Sequence, residues 1–365
     1  MSKQYRVALV GCGGMGRQHI NALHDVPDFS VVALCDVSEG SLALAGEMVE
    51  AAAYRDCATM CDEIKPDIVV VATQTRGHLD PSVAALERGI SVLCEKPIAI
   101  DLNEADQMVA AAQQSGACLA INQQNHVNPG IRKAQCMVAA GDIGEVVLVR
   151  GRNKSGRKSG NEFTEMGTHV TDMMLCFGGQ PEWCAGTVYW QGRLAESDAI
   201  MEAKQMSPKD RDSGPVLGER AIGHYGFAGG ILGEIHFFGY ETLMSDNYGV
   251  DILGTDGQLT VRASRWMETC LWHLPRPMEG APSDRDAWQE VALGAEGKED
   301  PIVQMYYELA LAIEQGGQPP SSGMEGRTAF EMILGIYQSH RQGGQRVELP
   351  LVDRRHPLVA WRKER

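Results

Sequence analysis

The first third of the chain alternates short, wholly apolar runs with amphipathic segments. The runs Tyr5–Val10, 31–35, 68–72, Ser91–Cys94 and 117–121 lack period-two alternation, as strands buried on both faces do. Segments near 15–23, 40–50, 81–88 and 103–115 have the spacing of helices. A βαβα order requires parallel strands covered by helices, and right-handed crossovers make the sheet doubly wound. After residue 122 the strands alternate instead, at 145–150, 182–190, 221–228, 231–238, 250–253 and 258–261, which predicts a large, mostly antiparallel open sheet. Ala228-Gly229-Gly230 and Thr255-Asp256-Gly257 supply hairpin turns, because glycine accepts the positive φ of tight bends. Helices are predicted at 163–177, 302–315 and 326–339, with a last strand at 346–350. The polar, aperiodic stretch 195–218 predicts a mobile loop, and no internal repeat is present. The expected architecture is α/β at 1–121, followed by an α+β domain at 122–365.

Composition narrows the partners. A chain of 365 residues with 44% hydrophobic content suits two separate cores. The net charge of -15 denies nucleic acid the basic field that it needs, and points to small-molecule chemistry. No apolar run approaches the roughly 20 residues that span a bilayer, and residues 1–10 lack the apolar core of a signal peptide, so a cytoplasmic protein is expected. Ten cysteines without CxxC pairs, the nearest being Cys57 and Cys61, read as free thiols of a reducing compartment.

Gly11-Cys12-Gly13-Gly14-Met15-Gly16 satisfies GxGxxG directly after an apolar strand and opens a helix running through His19 and Leu23. The motif alone is weak; strand, helix and a downstream acid make it a dinucleotide fingerprint. Glycines permit the tight turn and the close approach of a pyrophosphate, while the helix N-terminus offers N–H groups. Asp36 ends the second strand 20 residues beyond Gly16, where a carboxylate accepts bonds from ribose hydroxyls and repels a 2′-phosphate. NAD is therefore expected over NADP, although Ser38 leaves room for adaptation. The expected NAD(P)-binding set is Gly11, Cys12, Gly13, Gly14, Met15, Gly16, Asp36, Val37, Thr73, Gln74, His78, Glu95, Lys96 and Gln124. Thr73 and Gln74 follow a strand at the ligand edge, and His78 reads either as shaping the cofactor site or as a packing histidine.

Cys94-Glu95-Lys96-Pro97 ends another buried strand. A lysine beside a cationic nicotinamide meets like-charge repulsion and partial desolvation, both of which ease loss of its proton. Lys96 is thus a candidate to polarise the reacting oxygen; its other reading is a surface lysine before a turn. Further on, Glu165, His169 and Asp172 lie in a helical pattern at i, i+4 and i+7. Gly167 inside that helix predicts a close approach to its backbone, by nicotinamide or substrate. His169 suits a general base, with Glu165 orienting it or holding a substrate hydroxyl and Asp172 supporting. No second histidine stands at metal-ligand spacing, so no metal is expected. Arg152, Lys154, Arg157 and Lys158 precede the helix, and read either as a clamp for an anionic substrate group, through Arg152 and Arg157, or as a solvated basic loop.

With VALVGCGGMGRQHINAL, ATQTRGH, VLCEKPIAI, GDIGEVVLVRGR, EMGTHVTDMMLCFGG, LGTDGQLTV and SSGMEGRTAFEMILGIYQSHRQGGQRVELP, the chain resembles the Gfo/Idh/MocA oxidoreductases, the glucose-fructose oxidoreductase and inositol dehydrogenase type, over nearly its whole length. The resemblance implies an N-terminal Rossmann domain and a C-terminal α+β domain whose open sheet forms homodimers or homotetramers. It maps the family's catalytic lysine onto Lys96 and its catalytic histidine onto His169. Three positions depart: Glu165 stands where aspartate is usual, Gln74 replaces a proline, and His126 takes the place of an arginine. His126 accordingly joins Lys96, Arg152, Arg157, Glu165 and His169 as a candidate substrate contact.

The expected activity is NAD-dependent hydride transfer from a carbinol of a sugar, cyclitol or sugar derivative. Two alternatives stay open from the sequence. One is a glycoside hydrolase working by transient C3 oxidation, elimination, water addition and re-reduction; the other is a catalytically silent NAD-binding regulator.

Overall fold

Five of the six residues of strand β1 (Tyr5–Val10) are buried, the environment that its unbroken apolar sequence requires. In this computed structural model, which describes residues 3–153, 161–203, 213–238, 248–263, 269–275, 287–293 and 300–363, β1 is central to a parallel sheet. The other strands are β2 (Phe29–Cys35), β3 (Ala52–Tyr54), β4 (Ile68–Val71), β5 (Ser91–Cys94) and β6 (Leu119–Ile121), in the order β3-β2-β1-β4-β5-β6. Connecting them are α1 (Gly14–Leu23), α2 (Glu39–Gly46), α3 (Cys57–Ile64), α4 (Leu79–Leu86) and α5 (Leu102–Ser115). Strand order reverses between β1 and β4, so the segments leaving β1, β4 and β5 share the carboxyl edge where such sheets bind ligands.

By packing, this first unit comprises Met1–Gln124, Arg211–Gly214 and Glu299–Arg327. The sequence division at 121 assigned Glu299–Arg327 to the second domain. It packs with the first through aromatic and polar contacts: on the helix Pro301–Gln315, the Tyr306 ring lies tilted with its centroid 5.3 Å from that of Phe29, and the Tyr5 hydroxyl donates to Glu314 at 2.8 Å.

The second unit, Asn125–Asp210, Pro215–Lys298 and Thr328–Arg365, is built on a mixed, mostly antiparallel sheet. Its strands are β7 (Val146–Arg152), β8 (Pro181–Trp190) with its partner β9 (Arg193–Leu194), the small ladder β10 (Met201–Glu202) and β11 (Pro215–Val216), then β12 (Arg220–Phe227), β13 (Leu232–Phe238), β14 (Gly249–Gly254), β15 (Gln258–Arg262), β16 (Cys270–Leu274), β17 (Gln289–Glu290) and β18 (Val347–Glu348). The large sheet runs β17-β16-β15-β14-β7-β13-β12-β8-β18, and only β7 and β13 pair in parallel among its described strands. Both anticipated hairpins form: Gly229 and Gly230 turn at φ +80° and +84°, and the Gly254 N–H donates to the Gly257 carbonyl at 2.9 Å. Within the stretch read as a mobile loop, the described flanks are ordered as β10 pairing β11; residues 204–212 lie outside the described residues.

The described helices on this sheet include α6 (Pro129–Ala140), α7 (Asn161–Glu165), α8 (Gly167–Gly178) and the later part of the helix Gly323–Arg341, whose Ile336 meets Gly186 and Gly223. Asn128 caps α6 by accepting from the Gly130 and Ile131 N–H groups, with Pro129 at the first position. Gly151 of β7 admits α8 closely: a Cβ there would sit 2.5 Å from Val170 Cγ1.

Candidate active site

The turn after β1 is made for something that meets its backbone. Gly11 has φ +95°, and a Cβ there would lie 2.6 Å from the Thr73 nitrogen; at Gly16 a Cβ would lie 1.9 Å from the Gly11 carbonyl oxygen. Around Gly13 and Gly14, by contrast, no atom falls within 4 Å of the Cβ position. Gly13 caps α1 without a side-chain bond and no acid occupies the first turn, so the leading N–H groups and the positive end of the helix dipole remain for an anion. Arg17 adds a cation, its guanidinium donating to the Cys12 carbonyl at 2.9 Å.

Asp36 follows β2 and is pinned by the Cys12 N–H at 2.7 Å and the Ser38 N–H at 2.8 Å, one on each oxygen. Each oxygen keeps a lone pair for a ribose hydroxyl. Val37 is exposed, and its carbonyl accepts from Arg55, which also pairs with Glu39 at 3.0 Å. The open glycine cradle, the uncapped helix and the fixed carboxylate together fit a dinucleotide. Burial pushes the Cys12 thiol up to about 12, with Asp36 adding, so this buried cysteine is an inert wall of the turn.

At the ends of β4 and β5 lie Thr73, Gln74, Glu95 and Lys96. His78 is buried, with its ring nitrogens 3.0 Å from the Pro97 carbonyl and 3.2 Å from that of Thr73, so it ties these two strand ends together. Burial lowers its proton affinity, while the carbonyls that face its ring nitrogens act in the opposite direction. The Lys96-Pro97 peptide is cis and Lys96 is half-buried. Gln124 opens the short 3-10 turn after β6.

Glu95 is buried just beyond β5. Asn122 donates to its carboxylate at 2.6 Å, His19 Nε2 lies 3.1 Å away, and the Tyr306 hydroxyl meets His19 Nδ1 at 2.9 Å. The Lys96 N–H donates to the other carboxylate oxygen at 3.3 Å, so the network fixes the backbone that carries the lysine. Burial pushes the Glu95 acid up, but the His19 and Asn122 bonds outweigh it and bring the group from 4.5 down to about 2. A lowered folded value contributes stability above the unfolded value, lost as pH falls from about 4.5 to about 2, and on the order of 3 kcal/mol in all. Glu95→Gln is therefore expected to flatten the acid limb of the thermal unfolding profile; equal slopes for the two proteins would contradict this.

In the second unit the predicted single helix is broken at Met166, whose φ of -98° and ψ of -24° stay right-handed, so Glu165 ends α7 one turn before His169 on α8. From Gly167 to Met174, His169 is the one residue that is not buried. Gly167 does face a close neighbour, but it is Ile333 Cδ1, 2.7 Å from a Cβ position, and not a ligand: helix Gly323–Arg341 crosses there, and Thr171 donates to its Ala329 carbonyl at 2.8 Å. His126 Nδ1 lies 3.2 Å from Asp172 Oδ1 on α8, which gives it an acid partner.

Arg152 does not join this group. Its neighbour Gly151 faces α8, so Arg152 projects from the opposite face of the sheet, where it donates to buried Asp251 at 2.7 Å. Arg157, Lys154 and Lys158 lie outside the described residues. Sequence reading passed over Arg17, His19, Asn122 and Tyr306. Only His19 carried a signal: a histidine on the buried stripe Gly16, Ile20, Leu23 of α1 needs a polar partner.

Residues 5–123 match the family described as oxidoreductase family, NAD-binding Rossmann fold. Nearly the whole chain is similar to D-apiose dehydrogenase of Paraburkholderia graminis, with 24% identity over 381 residues that cover 98% of this chain and 93% of the relative. A shorter stretch of 152 residues is 28% identical to inositol 2-dehydrogenase of Salmonella typhimurium, covering 40% of this chain and 45% of that one. In fold, the chain is similar to levoglucosan dehydrogenase solved in complex with NADH and L-sorbose, with a TM-score of 0.77, 18% identity, and coverage of 96% of this chain and 100% of that one. Residues 5–123 thus form an NAD-binding Rossmann domain of the Gfo/Idh/MocA oxidoreductase type.

Proposed function

We propose that the protein oxidises a carbinol of a sugar, cyclitol or sugar derivative, with Lys96 and His169 as its acid and base groups. The observation that carries this reading is the half-buried His169 on an otherwise buried stretch of α8, one turn after Glu165. Bound NAD supplies the hydride acceptor. His169 takes the hydroxyl proton, Lys96 stabilises the charge that develops on the oxygen, and Glu165 orients the imidazole or a substrate hydroxyl. Asp36 selects NAD over NADP by repelling a 2′-phosphate. The names of the similar dehydrogenases, for apiose and inositol, support the substrate class.

Incubation with NAD and a panel of aldoses, cyclitols and glycosides tests this. A rise in NADH absorbance with at least one polyol is expected. Release of aglycone without that rise would replace dehydrogenation by redox-neutral hydrolysis.

We also propose that copies associate through the sheet face turned away from α8. There Arg150, Arg152, Arg262, Trp272 and Trp288 line an open cleft of about 320 Å³, and arginine and tryptophan are the residues that anchor protein interfaces. Sedimentation should give a dimer or tetramer; a monomer would refute this association.

A further inference from the structure

His126 stands in the turn Gln124–Val127, and its contact with Asp172 is an ion pair between side chains only 10% and 0% exposed. Nδ1 and Oδ1 approach to 3.2 Å, and the attraction gains its charge-for-charge strength only while His126 is protonated. Asp172 lies three residues beyond His169, on the same face of α8. A carboxylate withdrawn so fully from water is costly without a facing cation.

Among the described residues, the titratable groups acting most on His126 are Asp172 and Cys176, both from α8. Burial alone would strip the proton from His126, but the Asp172 charge, with Cys176 adding, holds the group well above its ordinary 6.5. An arginine here, as the family resemblance implies, would be a permanent charge; a histidine makes the contact conditional on pH.

We propose that His126 is a positioning residue whose proton-dependent clasp on Asp172 holds the polar face of α8, so that release of the clasp is what ends activity at alkaline pH. The inference deepens the dehydrogenase reading and rests on it for the role of His169. With the clasp closed, α8 presents His169 from a fixed helix. With it open, α8 loses the ionic part of one contact that fixes its polar face.

Histidine NMR of the full chain, with the His126 signal identified by its loss in His126→Gln, reads the clasp without any substrate. The signal is expected to titrate well above 6.5, and to fall toward the ordinary value in Asp172→Asn. Titration at or below 6.5 in the wild type would overturn the proposal whatever the enzyme does. In activity, kcat/KM of the wild type should decline about tenfold per pH unit above that midpoint. The profile of His126→Arg, normalised to its own maximum, should lose that decline, while His126→Gln should be depressed at every pH. A His126→Arg profile that falls with the wild type refutes the clasp. Absence of turnover of any polyol by the wild type would refute the dehydrogenase reading instead, leaving the NMR titration to judge the clasp.

Discussion

Lys96→Met and His169→Ala are each expected to lower kcat by about 100-fold to 10,000-fold, the range that a positioned acid or base supplies. Methionine keeps the unbranched stem of the half-buried lysine and removes the ammonium, so the loss reports the charge. The backbone of Lys96 rests on Glu95, whose carboxylate is fixed by His19 and Asn122, so the substitution leaves its support in place. His169→Ala opens a half-buried position on α8 while its buried neighbours keep the helix packed. If both groups serve one proton transfer, the double variant will be little slower than the worse single one. Single-turnover rates check this, and either variant working within tenfold of the wild type would remove that residue from the chemistry.

The second large effect concerns the cradle. Gly16→Ala would place a Cβ 1.9 Å from the Gly11 carbonyl oxygen, an atom of the backbone that cannot swing aside, so α1 must shift away from β1. Both thermal stability and NAD affinity should fall, the affinity by about a hundredfold, or roughly 3 kcal/mol. Gly14→Ala separates the two effects. Its Cβ meets nothing within 4 Å, so stability should hold while at least about a tenfold loss of NAD affinity follows from filling the space of the pyrophosphate. Calorimetric titration beside thermal unfolding checks both, and a Gly14→Ala protein that binds NAD like the wild type would show that the cradle lies elsewhere.

The dinucleotide half was readable because strands buried on both faces announce themselves as apolar runs, and because the glycine turn, Asp36 and the end of β5 keep a fixed order along the chain. Strand β3 was not, since Ala52 and Ala53 are exposed at the edge of the sheet and carry no apolar signal. Helix α6 was also missed, although Asn128-Pro129 is a start signal, because Gly130 weakens the helical pattern where it begins. Tyr306 and Glu314 could not be assigned to the first unit from sequence, as nothing local to residues 301–315 says which sheet an amphipathic helix will cover. Glu165 and His169 stood out by their i, i+4 spacing, although the break at Met166 that puts them on separate helices did not; the close approach at Gly167 was foreseen, and the neighbour there is Ile333. Arg152 shows the converse limit, because a basic run in the sequence does not reveal that alternate strand residues leave on opposite faces.

The fate of the substrate's carbon-bound hydrogen tests dehydrogenation most directly. Sugars and cyclitols deuterated at their carbinol carbons, incubated with the protein and NAD, should yield reduced nicotinamide carrying the deuterium. Nicotinamide that stays oxidised across the panel while NAD binds, or label found only in water as a substrate is consumed, would contradict it.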